Sequence, residues 1–201
     1  MRLTVWFRKV PKPALAALLI GVGVVGRILL AGAANIEPVL VLSMLAGAML
    51  GGIYTLVVPV GIMAISDLYF YFVPYGGQYS TISILGLAAF VYTGYMFVAA
   101  VGGFAMRRRL VWRTKTIAVF TAISVPLTVA FDVWTASGDW LFLGRGLGLS
   151  LGRVYELQVP FTLIHVFSSL LFAPILGATF LAVHLHGVPL PAAAPAEVPQ
   201  K

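Results

Sequence analysis

The stretch Asn35 to Asp67, N-I-E-P-V-L-V-L-S-M-L-A-G-A-M-L-G-G-I-Y-T-L-V-V-P-V-G-I-M-A-I-S-D, decides how the chain is read. It opens on Asn35, Glu37 and Pro38, passes through glycine-rich apolar sequence, and closes on Ser66 and Asp67 inside a second apolar run. A carboxylate near the end of an apolar segment, with Arg27 and Glu37 close in sequence, points to a polar site at one membrane face. The other segments read as walls around that site.

Composition supports a membrane setting. The 201 residues are 61% hydrophobic and 9% charged, with mean hydropathy +1.02, where a soluble domain has about 45–50% apolar and about 25% charged residues. The expected class is an all-α integral membrane protein in the cell (plasma) membrane, with the lipid bilayer as its main surroundings. With no cysteine, disulfides and thiolate metal sites are excluded. The net charge of +7 does not imply a nucleic-acid partner. Ten of the thirteen Lys and Arg lie in Arg2 to Lys12, in Arg107 to Lys115, and at Lys201, the flanks expected of cytoplasmic loops.

The apolar runs predict a six-transmembrane-helix bundle over 14–183, between a basic cytoplasmic segment, 1–13, and a flexible tail, 184–201. Ala14 to Ala34 is too long for a signal-peptide core and reads as a retained first helix. Pro38 to Leu50 is short for a span, so it tilts or continues through Gly51-Gly52. Helices are expected over Ile53–Val73, Ile82–Met106, Thr116–Ala136 and Val159–Val183, with a kink at Pro126. Residues 74–80 and 137–157 read as loops, the second holding five glycines. An even number of spans puts both termini in the cytoplasm. Five of the six acids, all but Glu197, then fall toward the outer face.

Ionisable residues within membrane segments face a bundle interior and pair. Arg27 can reach Asp67 or Asp132, and Arg27 with Asp67 is the expected structural ion pair. Asn35 either satisfies its own turn or faces a ligand, and Glu37 is either solvated or placed at the start of the second helix. Tyr92 and Tyr95 lie too deep for an interfacial belt and can line a cavity with Asp132 and His165. His165 by itself reads more readily as a packing residue than as a ligand, and His184 and His186 read as surface. Ala17 and Gly21, four residues apart, form a small-residue face, suited to packing within the chain or to a partner subunit.

Enzyme signatures are missing. There is no H-E-x-x-H helix and no G-x-S-x-G elbow, and G-R-G-L-G-L-S-L-G at 144–152 lacks the G-K-[ST] of a phosphate loop. No catalytic residue, metal site or cofactor is expected, and no ATP hydrolysis by the chain itself.

The run R-I-L-L-A-G-A-A-N-I-E-P-V-L-V-L-S-M-L-A-G-A-M-L-G-G from Arg27, with Ile65-Ser66-Asp67-Leu68, F-D-V-W at 131–134 and V-P-F-T-L-I-H at 159–165, resembles the substrate-binding S components of energy-coupling factor (ECF) transporters. The resemblance covers about residues 14–183. It implies an ABC-type importer subunit that captures a vitamin or similar micronutrient near the outer face. Its partners would be a transmembrane coupling subunit, docked on small residues of the first helix, here Ala17 and Gly21, and two ATPases. By the same resemblance the substrate-binding residues map onto Asn35, Tyr75, Gln78, Tyr92, Tyr95, Asp132, Trp134, Asp139, Trp140 and His165. The alternatives are a stand-alone small transporter or channel, or an intramembrane enzyme.

Overall fold

The computed structural model describes residues 7–72 and 81–189. It is an all-α fold with five helices long and apolar enough to cross a membrane. These are α1 (Lys12–Leu29), α3 (Tyr54–Phe72), α4 (Thr81–Met106), α5 (Thr114–Phe142) and α6 (Leu151–His186). A short helix, α2 (Val39–Leu45), runs on as a π-helical turn over Ala46–Leu50. Two-residue strands, β1 (Phe7–Arg8) and β2 (Val188–Pro189), pair antiparallel and hold the two ends of the described chain together.

The short helix is the centre of the bundle. Every residue from Val39 to Leu50 is buried, as expected of a helix that is apolar on all faces. Twelve residues rise only about 18 Å, well short of the ~30 Å hydrocarbon layer, so α2 is lined by its neighbours rather than by lipid. Close approach is what allows this. A Cβ on Gly47 would lie 1.8 Å from the Ala99 carbonyl oxygen, and Gly103 of α4 sits directly opposite. Ser43 satisfies its hydroxyl by donating to the Val39 carbonyl (2.8 Å), the usual solution where no water is present.

Helix directions alternate. Lys12 Nζ donates to the Leu50 carbonyl (3.2 Å) at one end of α1 and α2, while Arg27 meets Glu37 at the other. Arg27 also meets Asp67 late in α3, and Tyr92 of α4 donates to the same residue. Arg107, after α4, returns to lie over Gly51. Asp132 of α5 meets His165 of α6, and the Trp112 and His186 rings meet at the opposite end. All described acids therefore lie toward one end, and Lys12 and Arg107 to Lys115 toward the other.

Two expectations change. The first helix ends at Leu29 rather than Ala34, because residues 30–38 turn, with Asn35 at φ 58°, a left-handed conformation Asn tolerates. The long loop expected over 137–157 does not form. Helix α5 continues to Phe142 and α6 starts at Leu151, leaving a short turn with a 3-10 segment at Gly144–Leu147. Gly138 stays helical because the Phe90 ring occupies the space a side chain would take, as Phe142 does at Gly86. Ser150 caps α6 by accepting from the Arg153 amide (3.2 Å), and Pro160 and Pro174 both sit inside the helix. At 36 residues α6 is about 54 Å long, more than the ~40–45 Å of a whole bilayer.

Candidate functional site

Near the acidic end, the turn after α1 and the helices α4, α5 and α6 enclose a cavity of about 460 Å³, within the range of small-molecule sites. Its wall on α5 is Asp132, Thr135 and Asp139; its wall on α6 is Gln158, Phe161 and His165. Both sets follow i, i+3, i+7, one face of a helix. Leu87, Val91 and Tyr95 of α4, spaced by four, form the third wall.

Arg27 anchors the base of the site. Its Nε donates to Glu37 Oε2 (3.3 Å), and Nη1 donates to Ser66 Oγ (2.7 Å) and to Asp67 Oδ1. The guanidinium also sits over the Phe70 ring, 5.4 Å from its centroid. Tyr95 donates to Glu37 Oε1, and Tyr92 donates to Asp67 Oδ2 (2.9 Å). Ser168 of α6 accepts from the Glu37 amide (3.0 Å) and donates to the Glu37 carbonyl (3.1 Å). One cation thus organises two carboxylates, and each carboxylate carries a tyrosine.

The second polar pair is deeper. Asp132 Oδ1 lies 2.8 Å from His165 Nδ1, and each residue is 2% exposed. Asp132 Oδ2 and His165 Nε2 are buried without a hydrogen-bond partner. Against an ionised Asp132, which only accepts, Nδ1 would be the donor and a neutral ring would leave Nε2 as an acceptor. Buried polar atoms without a partner are rare in folded proteins, so each needs an explanation.

The structure brings together Asn35, Tyr95, Asp132, Asp139 and His165, with Asp139 at the exposed rim. Tyr92 adjoins the cavity through Asp67. Trp134 does not belong to it: the indole lies on the outer face, stacked on Phe90 (4.6 Å) and donating to Thr93 Oγ1 (3.0 Å). Trp140 donates to the Leu149 carbonyl (3.0 Å) and holds the α5–α6 turn rather than lining the pocket. Tyr75 and Gln78 lie outside the described residues. Arg27 contacts Asp67 and Glu37, whereas Asp132 is taken by His165. Sequence reading put Glu37 near a polar site but not among its binding residues, and missed Ser66, Ser168, Thr135 and Gln158. The i, i+3, i+7 spacing from Asp132 and back from His165 marks Thr135 and Gln158; no local pattern marks Ser168.

Among the described residues no group of three His, Asp or Glu side chains is placed to hold a metal ion. On α1, Ala17 and Gly21 face outward, with nothing within 4 Å of a Cβ at Gly21, while Gly23 and Gly26 pack on Ile62 and Pro38.

Long apolar helices around a polar cavity define an all-α, membrane-type helical bundle with a pocket of small-molecule size. Residues 7–191 match the Family of unknown function (DUF6580), and the chain belongs to that family. No curated protein and no solved structure matches it.

Proposed function

We propose that the chain is the substrate-capture subunit of an ECF-type ABC importer, taking up a vitamin or similar micronutrient into the cavity walled by α4, α5 and α6. In this reading it is a multi-pass protein of the plasma membrane, with six crossings counting α2 and both termini cytoplasmic. The basic end faces the cytoplasm and the cavity faces outward. The single observation carrying the proposal is the cavity of about 460 Å³, with polar groups converging from four chain segments at the end opposite the basic cluster. The resemblance over residues 14–183 supplies the partner set, a coupling subunit and two ATPases. The chain itself performs no chemistry; capture and release come from exposing one site alternately to the two sides.

Native mass spectrometry of the full chain released from detergent tests this. A single vitamin-sized adduct per chain, with ATPases copurifying under gentler extraction, is the expected result. Copurification of neither would remove the importer reading. A Gly21→Leu variant is expected to retain the adduct, because space is open there, and to lose the coupling subunit; unchanged assembly would take α1 out of the docking role.

A further inference from the structure

We propose that the molecule captured in this pocket is an organic cation, a flat ring bearing a positively charged or multiply N–H-donating nitrogen group that docks on Asp132 and His165. This deepens the capture proposal and rests on it.

Charge is the first argument. Four carboxylates, Glu37, Asp67, Asp132 and Asp139, surround or adjoin the cavity, and one guanidinium, Arg27, stands against them. Counted as formal charges, these groups sum to a negative value. Among the described residues no other Lys or Arg lines the cavity. Arg153 is engaged by Glu156 (2.9 Å) and neither it nor Arg145 lines the cavity, while residues 73–80 contain no Lys or Arg. A low-dielectric site with excess negative charge favours a cationic ligand over a neutral or anionic one.

The unsatisfied atoms are the second argument. Asp132 Oδ2 can only accept, and Nε2 of a neutral His165 also accepts. A ligand N–H brought to either atom satisfies it, and charge-assisted bonds of this kind are the strong ones. Arg27 already donates to Glu37, Ser66 and Asp67, so it is held away from the role of anion receptor. The third argument is shape. Tyr95 and Phe131 lie 4.3 Å apart between ring centroids, Phe131 meets the His165 ring edge-on, and Phe161 closes the α6 side. Aromatic walls beside a carboxylate suit a flat cationic ring.

Three probes share one ring and differ in head-group charge: benzamidinium, benzamide and benzoate. Titrated by calorimetry into the full chain in nanodiscs, benzamidinium should bind roughly tenfold or more tighter than benzamide, with benzoate weakest. Asp132→Asn should collapse that ratio. Asp139→Asn, at the exposed rim, should lower it less and serves as the variant least able to disturb folding. Equal binding of benzamide or benzoate by the unaltered protein overturns the proposal, as does binding of none of the three or a ratio that survives Asp132→Asn. The capture reading fails separately. A neutral or anionic copurified molecule leaves capture standing and removes the cation, whereas cation selectivity without a coupling subunit or ATPases removes the importer and keeps the site.

Discussion

The two ends of the bundle are both polar, yet they are built on opposite plans. Toward one end, Arg27 is 20% exposed in its side chain, lies against Glu37 and Asp67, and each of those carboxylates accepts a tyrosine. Toward the other, Arg107, Arg108 and Arg109 rim a cavity of about 1050 Å³, and none of them has an ion-pair partner among the described residues. Charges withdrawn from water need partners, and the partners fix their positions; charges left in water need none. The acidic end therefore has a defined polar geometry that can recognise a molecule. The basic end gets its order from elsewhere, namely the backbone contact of Gly47 with Ala99 and Gly103.

The largest effect should come from breaking that contact. In Gly47→Ala the new methyl would meet the Ala99 carbonyl oxygen at 1.8 Å and its carbon at 2.8 Å. These are backbone atoms that cannot rotate away, so α2 and α4 must separate. A cost on the order of 3 kcal/mol follows from overpacking, read as a large fall in the Tm followed by tryptophan fluorescence. Gly21→Ala, where space is open, should stay within about 0.5 kcal/mol of the parent. If the two variants melt together, the central packing of α2 described above is wrong.

Much of the fold was legible from local pattern. The start expected at Ile53 lies one residue from that of α3 (Tyr54–Phe72), and the end expected at Met106 coincides with that of α4 (Thr81–Met106), because the glycine pair and the arginine triplet stop an apolar run sharply. The α5–α6 turn was not legible, since the glycines of 137–157, Gly138 and Gly152 among them, read as a loop until the Phe90 ring and the Ser150 cap are seen. Asp132, Tyr95 and His165, which line one cavity, stood out because ionisable and tyrosine side chains deep in apolar helices are conspicuous. Glu37 was not recognised as a site residue, because its partners lie 10, 58 and 131 positions away. A turn glutamate is ordinary until the helices that surround it are in place.

A smaller effect is expected from the acidic end. Arg27→Met leaves Glu37 and Asp67 with one tyrosine each and no cation. Because Asp67 is 36% exposed, the loss should fall below that of a fully buried pair, on the order of 2 kcal/mol. Adding Glu37→Gln should recover part of it, since one of the stranded charges is gone. A coupling of at least about 0.5 kcal/mol between the two positions, by a double-mutant cycle in Tm, would confirm that they act as a unit. Strict additivity would make Arg27 another exposed cation, and the contrast between the two ends would collapse.

The smallest change in stability belongs to the arginines at the basic end. Arg107 lies over Gly51, so the informative substitutions are Arg108→Gln and Arg109→Gln together, and their Tm should stay within about 0.5 kcal/mol of the parent. Orientation is what these charges are expected to govern, because basic residues flanking spans bias which side is retained in the cytoplasm. The chain has no cysteine, and Gly146 in the α5–α6 turn has nothing within 4 Å of a Cβ, so Gly146→Cys is a clean reporter. A membrane-impermeant maleimide added to intact cells should label that cysteine in the parent and label a smaller fraction of the double-Gln chains. Unchanged labelling with unchanged stability would mean that the remaining basic residues, Lys9, Lys12, Arg113 and Lys115 among them, suffice to orient the bundle. A large fall in Tm would instead show that the triplet is bound into the fold, as Arg27 is.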